Sequence, residues 1–245
     1  MSRVAQIWRH PIKGIGAEPL DSVALDAGLP LPGDRAWAML TGDARDTGAW
    51  QSCRNFARGC YGPELMAITA RTLSDGRIAL SHPKAGEIVV DPATDGARLA
   101  DWLRPLWPEA RPPLGQLIAA PSEGLSDAPY ACLSILGRAS LGALSEACGA
   151  PLDPRRFRGN LWIKGLEPWE ELDWPGRRLR IGAVELEVVE RIDRCRATQV
   201  NPETGEEDMQ TLQVLRRTWG HIDFGVKARV LKGGEITLDA PLEII

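Results

Sequence analysis

A cysteine between two arginines is the position in this sequence best suited to chemistry. Cys195 lies in D-R-C-R-A-T at 193–198, after a long apolar stretch and before the turn-forming residues N-P-E-T-G at 201–205. Flanking cations favour the thiolate, the form of cysteine that binds metals and attacks electrophiles. In a regular strand, however, the side chains of Arg194 and Arg196 would point away from that of Cys195. The sequence predicts an activated thiol if the strand ends before Cys195, and a small buried side chain otherwise.

Arginines cluster a second time in R-R-F-R-G-N at 155–160. Guanidinium groups suit phosphate because their planar donors pair with two oxygens at once. The whole chain carries a net charge of −4, which offers no general attraction to nucleic acid or anionic lipid. We therefore expect a local anion site at Arg156 and Arg158, and no nucleic-acid partner.

Two N-terminal segments place basic residues next to predicted strands. H-P-I-K-G at 10–14 contains Lys13, and G-D-R at 33–35 contains Arg35. Taken alone, Lys13 is typical of a solvated surface, and Asp34 with Arg35 of an ion pair at a turn. These residues by themselves leave both interpretations open.

Short apolar runs between Gly, Pro and Asp predict many strands, at 4–8, 23–25, 36–40, 65–71, 88–90, 160–164, 184–189, 226–231 and 235–238. Lys232-Gly233-Gly234 predicts a tight hairpin between the last two. Helical spacing of apolar residues predicts three helices, over 95–106, 139–148 and 209–219. The pattern is typical of a mainly β (α+β) protein, barrel-like or sandwich-like with a few accessory helices.

Composition and motifs constrain the number of domains, the location of the protein and the kinds of site that it can contain. A stretch rich in Pro, Gly and Ser at 108–129 predicts two domains, 1–108 and 109–245. Five cysteines, an odd number with no C-x-x-C pair, favour a reducing, cytoplasmic location. No run approaches the roughly 18 apolar residues of a membrane span, and the N-terminus does not resemble a signal peptide. The sequence contains neither the motif of a phosphate-binding P-loop nor that of a serine-hydrolase elbow, and its three histidines lack the spacing of zinc ligands. None of these three kinds of site is therefore predicted.

Taken in order, five groups of residues resemble the MOSC superfamily, which is named for the C-terminal domain of molybdenum cofactor sulfurase. The match in pattern is best with its amidoxime-reducing proteins. The segments are W-R-H-P-I-K-G, L-D-A-G-L and G-D-R-A-W-A within the first 40 residues, R-F-R-G-N at 156–160, R-C-R-A-T-Q-V-N-P-E-T-G at 194–205, F-G-V-K-A at 224–228, and G-G-E-I at 233–236. The resemblance implies an N-terminal β-barrel-like domain, a MOSC β-barrel domain ending in a hairpin, and a molybdopterin-type molybdenum cofactor between them.

The resemblance also implies a role for individual residues. The sulfur of Cys195 would coordinate molybdenum, and Cys195 would be the catalytic residue. A soft thiolate suits such a metal, and arginines suit the phosphate of the cofactor. The residues that would hold the cofactor are Lys13, Arg35, Arg156, Arg158, Asn160, Arg194 and Thr198. The family description further includes pyridoxal phosphate binding.

The implied activity is a molybdenum-dependent reduction of small N-hydroxylated or N-oxide substrates. The sequence lacks a ferredoxin-type extension, so electrons would come from a separate donor, ferredoxin-like or cytochrome b5-like. An alternative is a carrier of cofactor, or of sulfur as a Cys195 persulfide, without turnover. A third is a domain that kept the fold and lost the cofactor, because Gly14, Gly159, Lys227 and Asp239-Ala240 depart from the family pattern.

Overall fold

Strands predominate in the computed structural model, which describes residues 1–245, with 35% of residues in strands and 21% in helices. The strands are β1 (Arg3–Arg9), β2 (Glu18–Leu20), β3 (Ser22–Leu25), β4 (Trp37–Thr41), β5 (Thr69–Thr72), β6 (Ile78–His82), β7 (Gly86–Val90), β8 (Leu114–Ala119), β9 (Leu133–Gly137), β10 (Leu161–Lys164), β11 (Arg178–Ile181), β12 (Val184–Asp193), β13 (Asp223–Lys232), β14 (Gly234–Thr237) and β15 (Leu242–Ile244). The helices are α1 (Gly96–Leu103), α2 (Arg138–Cys148) and α3 (Thr211–Trp219). Short 3-10 helices cover Cys53–Asn55, Pro63–Ala67, Arg104–Leu106, Pro154–Phe157, Glu170–Asp173 and Arg196–Gln199.

An eight-stranded sheet organises the molecule, in the order β15-β11-β12-β13-β9-β10-β1-β2. Neighbouring strands are antiparallel except β9 and β10, which are parallel and are connected through α2. In β12 the side chains of Val184, Leu186 and Val188 are buried on one face, as the two-residue period of a strand requires. They belong to a core of 21 buried residues that collects side chains from both ends of the chain.

The sheet curls so that its first strand approaches its last. Arg3 forms an isolated bridge with Pro241, and the backbone N–H of Leu242 donates to the carbonyl of Ser2 over 2.9 Å. These bonds bring the beginning of β1 beside the segment that enters β15. The mainly β class predicted from the sequence is confirmed, but no closed barrel is found.

A second core of 16 buried residues lies entirely between residues 12 and 117. It is covered by the β5-β6-β7 sheet, by the β4–β8 pair and by α1. The stretch at 108–129, predicted to separate two domains, contains β8, while β1 and β2 belong to the large sheet. The division into two domains at residue 108 stays a prediction. If it holds, β1 and β2 of the first domain form part of the sheet of the second domain.

Two local predictions are wrong. Residues 232–234 do not form a hairpin, because β14 pairs with β3 and not with β13. Gly233 lies so close to the end of β3 that a Cβ atom there would be 2.5 Å from the carbonyl oxygen of Leu25. The predicted strand at 65–71 begins as a 3-10 helix, because Pro63 fixes a helical φ at its start.

The three predicted helices are confirmed, with bounds that shift by one to three residues; the predicted end of the first, residues 104–106, is a 3-10 helix. Gly149 and Gly220 end α2 and α3 in the left-handed conformation, at φ 76° and 78°, where glycine carries no Cβ penalty. None of the helices combines the length and apolar character needed to cross a membrane.

Candidate functional site

A cleft with a volume of about 370 Å³ lies where the two cores meet. The structure brings together in its wall all eight residues that the sequence singled out: Lys13, Arg35, Arg156, Arg158, Asn160, Arg194, Cys195 and Thr198. They come from the turn after β1, the entry to β4, the segment before β10 and the segment after β12. The sequence offers no reason other than the family resemblance for these four places to meet.

Positive charge dominates this cleft. Seven basic side chains line it against only two carboxylates, those of Asp127 and Asp193. The basic residues are Lys13, Arg35, Arg58, Arg156, Arg158, Arg194 and Lys227. In a chain of net charge −4 this is a local anion site of the kind predicted.

Cys195 lies outside regular strand geometry. β12 ends at Asp193, and Cys195 has extended angles, φ −105° and ψ 176°, as the residue preceding the 3-10 helix Arg196–Gln199. The backbone N–H and the hydroxyl of Thr198 donate to the carbonyl oxygen of Cys195 over 3.2 and 3.1 Å. The side chain of Cys195 is exposed in the cleft. The condition set by the sequence for an activated thiol is therefore met.

The two arginines beside Cys195 have separate roles. Arg194 faces the cleft and donates to the carbonyl oxygens of Phe157 and Phe224, over 2.9 and 2.8 Å. Arg196 faces outward and pairs with Glu207 over 2.8 Å. Arg194 thus joins the cysteine segment to the segment before β10 and to β13.

The strongest influence on the Cys195 thiol is a second cysteine. A hydrogen bond from Cys60, helped by the backbone N–H of Ala197 and the charge of Arg194, lowers the pKa of Cys195 to about 6, against the opposing effect of burial. The same contact raises the pKa of Cys60 well above its usual range. Of the two sulfurs, Cys195 is therefore the one whose thiolate form is favoured, and Cys60 is the thiol donor.

Sequence reasoning missed several residues of this wall. Four of the five cysteines line the cleft, and only Cys195 among them was predicted. The missed residues include Cys53, Cys60, Cys132, Arg58 and Asp127. No motif or spacing marks them, because they lie in irregular segments that only the tertiary fold brings to Cys195.

Lys13 forms an ion pair with the carboxylate of Asp127. Its buried ammonium group donates to the carbonyl oxygen of Leu125 over 2.7 Å and to Oδ1 of Asp127 over 2.5 Å. Burial lowers the pKa of Lys13, and the charge of Asp127 opposes that effect. The Asp127 side chain is 69% exposed, so it is free to move when a stronger anion arrives.

Arg35 and Arg158 bring two positive charges to the same wall. Arg35 pairs with Asp34 and donates to the carbonyl oxygen of Arg158 over 2.9 Å. Arg158 donates to the carbonyl oxygen of Gly16 over 3.0 Å. Burial and the charge of Arg35 together lower the pKa of Arg158 to about 9. A bound anion would relieve this repulsion.

Arg156 and Arg58 fit an anionic group for a further reason. Arg156 is 4% exposed and donates to Asp208 over 2.9 Å, yet its Nε has no hydrogen-bond partner. The Nε of Arg58 is also buried without a partner. Buried donors are normally satisfied, so these two atoms are exceptions, and both residues line the cleft. With the thiolate of Cys195, this donor set fits an anionic cofactor that carries a soft metal.

The side-chain amide of Asn160 forms its hydrogen bonds within the protein. Its Oδ1 accepts hydrogen bonds from the backbone N–H and the hydroxyl of Ser134, both over 3.0 Å, and its Nδ2 donates to the carbonyl oxygen of Trp8 over 3.1 Å. These bonds join β1, β9 and the start of β10. The structure favours positioning of the wall over direct contact with a ligand.

Two glycines that depart from the family pattern are required by the packing. Gly14 has φ 74°, and a Cβ there would lie 2.5 Å from the carbonyl oxygen of Ala57. A Cβ on Gly159 would lie 2.3 Å from Cδ1 of Leu136. Both departures are therefore consistent with an ordered cleft.

A family model described as the MOSC domain matches residues 124–243. This confirms the resemblance that the sequence predicted. The matched segment contains the cysteine and arginine segments 156–160 and 194–198 of the cleft, and the residues before it supply Lys13, Arg35 and Cys60.

Similar proteins carry names that refer to amidoxime reduction and to the molybdenum cofactor. Human mitochondrial amidoxime-reducing component 1 is 25% identical over 87% of this chain and 72% of that protein. Molybdenum cofactor sulfurase of Caenorhabditis briggsae is 38% identical over 30% of this chain. The matched part covers only 10% of the length of the sulfurase. Among solved structures, the YUAD protein from Bacillus subtilis is 14% identical with a TM-score of 0.48, over 100% of this chain and 96% of that chain.

Proposed function

We propose that this chain binds a molybdenum cofactor in the cleft and works as an oxidoreductase on N-hydroxylated or N-oxide compounds. One observation carries the proposal: the exposed cysteine Cys195 lies in a cleft that seven basic side chains line. Thiolate sulfur is a good ligand for a soft metal centre, and guanidinium groups suit phosphate. The names of the relatives, one for amidoxime reduction and one for the molybdenum cofactor, agree with this chemistry.

The basic residues would divide the binding between them. Lys13, Arg35, Arg156 and Arg158 would hold the anionic part of the cofactor, and Cys195 would be the metal ligand. Arg194, Asn160 and Thr198 would position the wall, since their polar atoms already bond to the protein. When bound, the cofactor would supply the redox chemistry, and the protein would supply orientation and electrostatics.

The cleft has a volume of about 370 Å³, which limits the substrate to a small molecule. Lys227 lines this cleft and donates to the backbone carbonyl of Asp127 over 3.1 Å and to Glu190 over 3.0 Å. Its ammonium group would favour substrates with an electron-rich oxygen. The amidoxime reduction in the name of the human relative is chemistry of this class.

Electrons would come from a separate donor of the ferredoxin or cytochrome b5 kind. Next to the segment that carries Cys195, a shallow surface pocket is lined by Arg196, Arg216 and Arg217 together with glutamines. We call these three arginines the basic surface. An acidic donor would dock there by charge complementarity, which raises association rates.

The test uses protein from a host that makes the cofactor. Purified wild type should contain molybdenum and reduce an aromatic amidoxime when a small artificial reductant supplies electrons, and Cys195→Ala should lose both properties. Cys148→Ala is the matched control, because Cys148 ends α2 outside the cleft. Wild type without molybdenum, or a Cys195→Ala variant that keeps it, contradicts the proposal.

A sulfur carrier is the second candidate, because the exposed Cys195 thiol is activated and sulfurases are among the relatives. In that case mass spectrometry would find a persulfide on Cys195, and no amidoxime would be reduced even with the artificial reductant. A cytoplasmic location and pyridoxal phosphate binding stay predictions of the sequence and the family description.

A further inference from the structure

Three partners surround the buried ammonium group of Lys13. Lys13 is 5% exposed, and its Nζ donates to the carbonyl oxygen of Leu125 over 2.7 Å and to Oδ1 of Asp127 over 2.5 Å. Nζ also lies 5.9 Å from the centre of the Phe56 ring, within cation–π range. An ammonium group has only three N–H donors. An anion from solution can therefore bind Lys13 only by replacing one of these partners.

The Asp127 carboxylate is the one partner that can be replaced without disturbing the fold. Phe56 is fully buried in a core. The backbone of the segment 125–127 is anchored from both sides, because Nε1 of Trp50 and Nζ of Lys227 donate to its other two carbonyl oxygens over 3.0 and 3.1 Å. The side chain of Asp127 is instead 69% exposed, so it can rotate toward solvent while its backbone stays in place.

Asp127 competes as an ionised group, and only for ligands of low charge. Desolvation in the cleft raises the pKa of Asp127, but the charges of Lys13, Arg35 and Lys227 outweigh this effect and lower the pKa below its ordinary value. A ligand with a single charge would supply nothing at Lys13 that this carboxylate does not already supply. A phosphate-type anion carries more charge and more acceptor oxygens, and Arg35 and Arg158 line the same cleft.

We propose that Asp127 is an internal competing anion that determines which ligands reach Lys13. It excludes singly charged anions such as small carboxylates, and it yields to a phosphate-type polyanion. The competition itself depends only on the cofactor-free cleft, whereas its use in selecting the cofactor rests on the proposed function. Asp127 is in this sense a specificity-determining residue of the cleft.

The first test titrates cofactor-free protein with inorganic pyrophosphate in a calorimeter. Asp127→Ala should bind pyrophosphate about tenfold more tightly than wild type, because the site no longer has to be vacated first. Asp127→Asn, which keeps the shape of the side chain and removes its charge, should change the affinity in the same direction. Circular dichroism should show that both variants fold, as expected for an exposed side chain.

The matched control is Asp193→Asn. Asp193 is an exposed carboxylate that lines the same cleft, but Lys13 pairs with Asp127 and not with Asp193. Removing its charge should leave the affinity for pyrophosphate within about twofold of wild type, because exposed charges are screened. The control therefore separates direct competition at Lys13 from a general change of charge in the cleft.

The second test adds acetate, the free counterpart of the missing side chain. In Asp127→Ala, acetate should compete with pyrophosphate and weaken its apparent affinity. In wild type the same acetate series should not compete, because Asp127 already pairs with Lys13. Both proteins experience the same ionic screening in this series, so the difference between them reports on the site itself.

Equal pyrophosphate affinity in wild type and Asp127→Ala overturns the proposal, as does an equal gain in Asp193→Asn. Absence of acetate competition in Asp127→Ala, or pyrophosphate binding by none of these proteins, overturns it as well. Molybdenum content tests the proposed function separately. If Asp127→Ala gains affinity but wild type from a host that makes the cofactor contains no molybdenum, the proposed function has failed while the competition stands.

Discussion

The reactivity of Cys195 comes from a distant part of the chain more than from its neighbours in sequence. Arg196 faces outward to Glu207, and the guanidinium group of Arg194 is bound by backbone carbonyls. The hydrogen bond from Cys60 contributes more to the low pKa of Cys195 than the charge of Arg194 does. The sequence pointed to the flanking charges as the cause of activation, whereas the structure gives the larger effect to Cys60.

Alkylation of Cys195 in the metal-free protein measures this hydrogen bond. The iodoacetamide rate should rise with pH around a midpoint near 6, because the thiolate is the reacting form. Cys60→Ala should move that midpoint toward the ordinary thiol value, about 8.5. Cys148→Ala should leave it unchanged. An identical midpoint in wild type and Cys60→Ala would show that Cys60 does not activate Cys195.

Gly14→Ala tests whether the turn after β1 requires glycine. The variant combines a positive φ with a contact of 2.5 Å to the carbonyl of Ala57, so we expect a loss of about 2–4 kcal/mol in the free energy of unfolding. Gly28→Ala is the matched control, since Gly28 has φ 75° with no atom within 4 Å, and it should lose only about 1 kcal/mol. Denaturant unfolding measures the stability of both variants. Equal losses of stability would show that the contact with the carbonyl of Ala57 does not matter.

At the level of elements, local periodicity predicts the helices well and the strand pairing poorly. α2 and α3 agree with prediction because apolar spacing and a C-terminal glycine both mark them. β9, β11 and β15 were missed, since short runs acquire strand geometry from their neighbours in a sheet. The pairing of β14 with β3 joins opposite ends of the chain, which no local pattern specifies.

In the site, too, residues marked by a local pattern were predictable and residues brought in by the tertiary fold were not. Cys195, Arg156 and Arg158 were predictable, because adjacent arginines around a cysteine or an aromatic residue indicate chemistry from sequence alone. Lys13 and Arg35 required the family resemblance. Cys60 and Asp127 could not be predicted, because their contribution exists only through contacts that the folded chain creates.

The basic surface beside α3 gives an element-scale prediction. Reversing two of its charges with Arg216→Glu and Arg217→Glu should lower the rate of reduction by an acidic protein donor roughly tenfold or more at low salt, because steering is lost. The rate with a small artificial reductant should not change. The control reverses the exposed Arg177 and Arg178 at the start of β11, which alters net charge equally. Equal slowing in both double variants would contradict docking at α3.

At the scale of the whole molecule, the first strand connects the two cores. β1 lies inside the large sheet, and the turn that follows it buries His10 and carries Lys13 to the cleft. His10 is 1% exposed, and Asp34 accepts a hydrogen bond from its backbone N–H over 2.8 Å. The stability of the fold and the shape of the cleft therefore depend on the same few buried polar groups.

Acid should destabilise the protein through His10. Burial, reinforced by the charge of Arg158, lowers the pKa of His10 from 6.5 to about 3. The unfolded chain then binds one more proton than the native protein between these values, so stability is lost as pH falls from about 6.5 toward 3. His10→Gln should reduce this pH dependence, measured by urea unfolding at pH 7 and pH 4.5, whereas the control His221→Gln should not. An unchanged slope in His10→Gln would exclude this source of acid sensitivity.

Metal analysis of the purified protein tests the central claim most directly. Expressed in a host that makes the cofactor, reduced wild type and Cys148→Ala should each contain about one molybdenum per chain, since the metal requires its deprotonated thiolate ligand. Cys195→Ala should contain a small fraction of that amount. Equal molybdenum in wild type and Cys195→Ala, or none in either, would contradict the assignment of this cleft as a molybdenum cofactor site.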